Sequence, residues 1–267
     1  MDTPPTISVI IPTWNSAHTL AATITSCLNQ TYSPLEILVC DDGSTDESRS
    51  IVEQFADPKV QWVSGEHSGT PGVPRNTGMQ LAQGEWLAIC DSDDTWLPEK
   101  LEKQMAAAVK YSCDAVCANA FIKINTDTTS KKVSQWNKPT LSFANLLKTN
   151  NIVCSSAMIH SSLYKKLGGF SEIVEYGSFA DYIYWLRIAT STRFAFVNEP
   201  LIIYDDHPLT SMRSTALSNE TIQNKVFNDF IKNNNPSIFT LMVRVKQSVL
   251  LIKKILKNSI KYLYKNE

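Results

Sequence analysis

Short apolar runs alternate with amphipathic stretches along the first 125 residues. Ile7-Ser8-Val9-Ile10-Ile11-Pro12 reads as a buried strand, and residues 17–29 as a helix with Leu20, Ile24, Cys27 and Leu28 at helical spacing. Leu35-Glu36-Ile37-Leu38-Val39-Cys40 reads as a second strand, residues 46–55 as a helix and Val60-Gln61-Trp62-Val63 as a third strand. Residues 65–74 hold three glycines and two prolines and predict a loop. A helix over 75–83, a strand over 85–90, a helix over 98–111 and a strand over 114–124 follow. In the last of these helices Pro98 stands at a favourable first-turn position, and Leu101, Met105 and Val109 form one stripe. Strands alternating with helices predict an α/β fold, with a mainly parallel sheet covered on both faces.

The pattern weakens beyond residue 125. Residues 125–140 are polar and predict a mobile loop, and residues 142–148 and 163–167 short helices, the second closed by Gly168-Gly169. Residues 179–189 predict an aromatic-rich helix, and Phe194-Ala195-Phe196-Val197 and Leu201-Ile202-Ile203-Tyr204 two strands. Asn233-Asn234-Asn235-Pro236 breaks the chain before a tail. There Val245, Val249, Ile252, Leu256, Ile260 and Leu263 fall on one helical face, and Lys246, Lys253, Lys257 and Lys261 on another. The expected organisation is three parts: residues 1–125, 126–215 and a helical tail over 216–267.

Composition adds two constraints. Of 267 residues, 43% are hydrophobic and 19% charged, near globular averages, so a largely disordered chain is excluded. The net charge of −1 does not suit a protein that coats nucleic acid, and no nucleic-acid partner is expected. That charge is unevenly spread. Residues 241–267 carry seven basic side chains against Glu267, a net +6, which leaves −7 on the other 240 residues. A basic amphipathic helix suits an anionic membrane surface. No window has the ~20 unbroken apolar residues of a membrane span, and the first residues lack a signal-peptide pattern. The six cysteines form no CxxC pair. These features predict a cytoplasmic protein with reduced thiols, peripheral on the inner membrane face.

Three predicted strands end in polar clusters: Pro12-Thr13-Trp14-Asn15, Asp41-Asp42-Gly43-Ser44-Thr45-Asp46 and Asp91-Ser92-Asp93-Asp94. Open α/β sheets bind ligands at the carboxyl ends of their strands. Three carboxylates within four residues repel one another, and a hard divalent cation offsets that repulsion. Gly43 permits a tight turn, and Ser44 or Thr45 can cap the next helix. Arg75, expected where a helix begins, is a candidate anion contact. The chain has neither GxGxxG nor GxxxxGK, so dinucleotide-binding and P-loop readings fail. Asp91-Ser92-Asp93-Asp94-Thr95 also fits the DxDxT opening of haloacid-dehalogenase-type phosphatases. That motif usually opens its domain, whereas here 90 patterned residues precede it.

Taken in order, these clusters resemble the family 2 inverting glycosyltransferases. Cys27-Leu28-Asn29-Gln30-Thr31-Tyr32, Pro74-Arg75-Asn76-Thr77-Gly78, Gly84-Glu85-Trp86 and Asp91 through Leu101 extend the match. The resemblance is dense over residues 6–105 and looser to about residue 215. It implies a GT-A αβα sandwich and transfer of a sugar from a nucleotide-sugar, a UDP-sugar in the first instance, to an acceptor hydroxyl with inversion. A glycan or lipid-linked acceptor for a surface polysaccharide is implied as well. Pro12, Thr13 and Trp14 would line the nucleoside pocket, with Asp41 facing the base and Ser68 and Arg75 near the nucleotide. Asp91 and Ser92 would lie near the ribose, and Asp93, with Asp91 and His207, would hold Mn²⁺ or Mg²⁺. Asp181 aligns with the general base. Its flanking acids are replaced by Ala180 and Ile183, and a usual Arg by Asp205, with Arg213 as a stand-in. Those replacements also suit a degenerate relative that binds nucleotide-sugar without turnover.

Overall fold

The computed structural model describes residues 4–124 and 127–205. His207, Arg213 and the expected tail lie outside the described residues. The first strands are β1 (Ile7–Thr13), β2 (Glu36–Asp41), β3 (Val60–Val63) and β4 (Trp86–Ile89). All residues of β1, β2 and β4 are buried. This is why they read as unbroken apolar runs: both faces of the sheet are covered. Between them run the helices α1 (Leu20–Leu28), α2 (Ser48–Glu53) and α3 (Gly72–Leu81).

Next come β5 (Thr95–Trp96), α4 (Lys100–Tyr111), β6 (Ala115–Ile124), β7 (Asp127–Lys132), β8 (Thr140–Leu141) and α5 (Phe143–Leu146). The described chain closes with β9 (Met158–His160), α6 (Ser161–Leu167), α7 (Ala180–Ala189) and β10 (Phe194–Asp205). The sheet order is β3-β2-β1-β4-β9-β6-β10-β5, with β7 added to β6 and β8 to β10.

The fold is the expected mainly parallel αβα arrangement, and the strand directions define the edge at which open α/β sheets bind ligands. β1 pairs in parallel with β2 and β4, β2 with β3, and β6 with β10. β9 is antiparallel to both β4 and β6, so those two run the same way. The carboxyl ends of β1, β2, β4, β6 and β10 therefore meet along one edge of the sheet. Trp14, Asp42, Asp91, Lys123 and Asp205 stand at or just beyond those ends.

Three expectations are corrected. The polar stretch expected as a mobile loop contains β7, a hairpin strand antiparallel to β6, and β8, paired with β10. β7 has no apolar alternation because it is added at the margin of the sheet path. The two strands expected over 194–204 are one, with register shifts on either side of Pro200. A proline cannot donate to the ladder, so the chain bulges there instead of turning. The amide of Asn119 fills the bulge, donating to the Ser134 carbonyl at 2.8 Å and to Asn198 Oδ1 at 3.3 Å. Third, α3 begins at Gly72, so Arg75 lies within the first turn rather than at the helix start.

Candidate active site

The turn after β2 is organised by two buried carboxylates. Asp41 accepts from the backbone of Gly43 at 3.2 Å and of Ser44 at 3.0 Å, and so closes the turn on itself. Gly43 has a φ of +75°, and a Cβ there would meet the His67 backbone nitrogen at 2.6 Å. That close approach lets residues 67–69 lie on the turn. Asp42 fastens them: Oδ1 accepts from the Ser68 backbone at 3.0 Å and from the Ser68 hydroxyl, and Oδ2 from Gly69 at 3.3 Å. His67 Nδ1 lies 3.0 Å from Asp42 Oδ2, and its ring stacks on Trp14 with centroids 4.7 Å apart. Trp14 is 53% exposed, an open aromatic face at the end of β1. Pro12 and Thr13 are buried beneath it.

The acidic loop after β4 is held from four directions. Ser16 and Ser92 share a hydrogen bond of 2.8 Å, and Thr23 donates to the Ser92 carbonyl at 3.0 Å. The Asp91 backbone donates to Ser155 Oγ at 2.9 Å. Arg75, from α3, donates to Asp91 Oδ1 at 2.5 Å. Asp94 is fully buried and accepts from the Asp205 backbone at 2.9 Å.

The electrostatics of this edge follow from that crowding. Burial first, then the neighbouring charges of Asp93 and Asp91, hold Asp94 well above the usual carboxylate range. Asp93 is exposed on the surface of the acidic loop. Desolvation, Asp91 and Asp205 together push it up to about 6. Burial alone disfavours the charge of Arg75, yet the fields of Asp91 and, more weakly, Asp181 outweigh it and strengthen the guanidinium's hold on its proton. Arg75 Nε is buried with no hydrogen-bond partner among the described residues.

Asp181 stands in the first turn of α7, and its field reaches both Arg75 and the buried Cys154 thiol. Its neighbours Ala180 and Ile183 are buried, so the positions where the resemblance implies acids are packed into the core here. Asn76, beside Arg75 on α3, fixes the loop leading to α7. Its Nδ2 donates to the Phe170 carbonyl at 3.0 Å and to Glu172 Oε1 at 2.7 Å, and its Oδ1 accepts from the Phe170 backbone at 2.7 Å. Gly169 makes room: a Cβ there would sit 2.0 Å from Asn76 Oδ1.

Among the described residues no group of three or more His, Cys, Asp or Glu side chains is arranged to enclose a metal ion. Among the described residues the donors at this edge are carboxylates. They suit a hard cation held by one or two protein oxygens and completed by phosphates, rather than a closed protein cage. The fold thus brings Trp14, Asp41, Ser68, Arg75, Asp91, Ser92, Asp93 and Asp181 to the ligand edge of the sheet or to its immediate surroundings.

Known proteins share this organisation. The family described as "Glycosyl transferase family 2" matches residues 8–168. The chain is a family 2 glycosyltransferase. Among its relatives is Escherichia coli WfgD, named a UDP-Glc:alpha-D-GlcNAc-diphosphoundecaprenol beta-1,3-glucosyltransferase. It is 30% identical over 237 residues, 88% of this chain and 90% of its own length. The putative teichuronic acid biosynthesis glycosyltransferase TuaG of Bacillus subtilis is 32% identical over 58% of this chain and 62% of its own. Solved structures agree on the fold. Staphylococcus aureus TarS in complex with UDP-GlcNAc gives a TM-score of 0.69 at 22% identity, over 84% of this chain and 65% of that one. Membership of this family removes the phosphatase reading of the Asp91–Thr95 motif.

Sequence reasoning did not single out Asn76, Lys123 or Ser155 as site residues. Ser155 lies in a short 3-10 turn, Cys154–Ser156, that sequence gives no reason to place under the acidic loop. The adjacent serines Ser155 and Ser156 carry no periodic signal.

Proposed function

We propose that this enzyme transfers a sugar from a UDP-sugar, with a divalent cation, to a hydroxyl of a lipid-linked glycan, inverting the anomeric centre. The observation that carries the reading is the convergence of Arg75, the Asp91–Asp94 loop and Asp181 on one edge of the sheet. The name of WfgD, alignable over nearly its whole length, supports the donor and the acceptor class.

Trp14 offers an open aromatic face to a nucleobase, with the Asp41 turn beside it. The Arg75 guanidinium, paired with Asp91, sets a fixed positive charge beside the nucleotide. Asp93, with Asp91, would hold Mn²⁺ or Mg²⁺, which supplies charge neutralisation for the departing diphosphate. Asp181 takes the proton of the acceptor hydroxyl as that oxygen bonds to the anomeric carbon. The carbon's bond to the diphosphate breaks, and UDP leaves with the electron pair. Half-buried at a helix start, Asp181 can receive that proton without competition from flanking acids.

The deciding experiment is thermal unfolding with UDP, GDP, dTDP and CDP, each with and without Mn²⁺. A ligand at 100 times its dissociation constant stabilises by about 2.7 kcal/mol, roughly 5–10 °C for a protein of this size. The expected result is a metal-dependent rise with UDP that Asp93→Ala abolishes. Asp181→Asn should keep that rise and lose transfer by about 10²–10⁴-fold. The absence of a shift with every nucleotide would overturn the reading. Binding with no transfer to any lipid-linked acceptor would favour the degenerate alternative.

A further inference from the structure

Two cations stand among the carboxylates at the ligand edge of the described sheet, and only Arg75 has been given a role. The other is Lys123, at the carboxyl end of β6. It faces Asp205 directly across the parallel β6–β10 register, and its Nζ lies 3.0 Å from Asp205 Oδ2. Asp205 in turn is tied to the acidic loop, since its backbone donates to Asp94 Oδ1 and its charge contributes to raising Asp93. Lys123 is thus one ion pair away from the proposed cation position.

The pair is asymmetric. Asp205 is 15% exposed and set by a backbone hydrogen bond, whereas Lys123 is 36% exposed on a flexible four-carbon stem. Of the two side chains, the longer and more exposed Lys123 has the greater freedom to change partner. A nucleoside diphosphate brings about three negative charges to an edge already holding Asp91, Asp93, Asp94 and Asp205. One divalent cation does not balance that charge. Arg75 already pairs with Asp91 through Nη2 at 2.5 Å, so part of its charge is spent within the site.

We propose that Lys123 is a diphosphate-binding residue of this enzyme, parked on Asp205 when the site is empty and transferred to a diphosphate oxygen when the donor binds. The inference rests on the proposed nucleotide-sugar reading and adds a residue to it. The exchange also frees the Asp205 carboxylate beside Asp93, so diphosphate and cation bind cooperatively.

The test compares uridine monophosphate with uridine diphosphate, by calorimetry with Mg²⁺, on wild type, Lys123→Met and Lys123→Arg. The two ligands share base and ribose and differ in the second phosphate. The expected result is a loss of about tenfold or more in UDP affinity in Lys123→Met, less than twofold for UMP, and recovery in Lys123→Arg. An equal loss for both ligands, or none for either, overturns the role of Lys123. If wild type binds neither ligand, the UDP-sugar reading itself falls. Comparing the melting temperatures of the three proteins without ligand separates a folding defect from a binding one.

Discussion

Lys100 has no exposed surface. Its ammonium lies 3.7 Å from the centroid of the Trp96 ring and donates to Gln104 Oε1 at 2.7 Å. These contacts do not replace hydration, and burial pulls its pKa from 10.5 to about 7. The folded pKa therefore lies below the unfolded one. Below pH 7 both states hold the proton and the penalty is complete. Between about pH 7 and 10 the unfolded chain keeps a proton that the folded one has released, so this group's contribution rises with pH, by about 1.4 kcal/mol per unit. Thiols that burial keeps protonated in the folded protein ionise over the same range once unfolded, so the informative quantity is the difference between Lys100→Met and wild type in urea unfolding. We expect the variant's relative stability to fall by about 1 kcal/mol per pH unit from pH 7 to 9. A difference independent of pH would show that Lys100 stays charged. At this scale Asp91 and Asp93 were legible in the sequence, because an apolar run ending in acids places them at a strand end. The buried partners of Lys100 were not, nor was the Arg75–Asp91 pair, since both depend on which helix packs under which loop.

The strands β1, β2 and β4 were legible because each is buried on both faces, and α1 and α4 because each carries an apolar stripe. β9 was not. Three residues are too few to show a period, yet β9 lies between β4 and β6 and sets their common direction. The loop before α7 is a similar case. It is positioned from a distance by Asn76, whose side-chain amide pairs with both the N–H and the C=O of Phe170. The ring of Phe170 in turn lies 5.2 Å from the Arg75 guanidinium. α3 thus holds the acidic loop through Arg75 and the approach to Asp181 through Asn76. Asn76→Ala leaves the Phe170 N–H without its partner and should cost about 1–3 kcal/mol in denaturant unfolding. Its effect on transfer belongs to Asp181 rather than to the nucleotide. We expect kcat to fall about tenfold through loss of positioning, with UDP affinity within twofold of wild type. A parallel loss of UDP affinity would mean that Asn76 acts through Arg75 alone.

Charge is distributed over the whole chain in a way that no single site explains. An excess of seven negative charges on residues 1–240 accompanies an excess of six positive charges on residues 241–267. No described helix is long and apolar enough to cross a membrane. A lipid-linked acceptor would nevertheless keep its reacting sugar at a membrane surface, where an acidic body is repelled by anionic headgroups. At such a surface the tail's lysines would offset that repulsion, each by about 1 kcal/mol close to an anionic leaflet. Because the attraction is screened within about 8 Å at physiological ionic strength, it should be lost at high salt. The prediction concerns the full-length chain with Lys246, Lys253, Lys257 and Lys261 changed to Gln, which removes the charge and keeps the helical spacing. Wild type should float with vesicles containing anionic lipid at low salt, and much less with zwitterionic vesicles or at high salt. The fourfold variant should stay in the dense fraction with both, while its UDP affinity is unchanged. Equal flotation of the two proteins would remove the tail from the question of how the enzyme meets its acceptor.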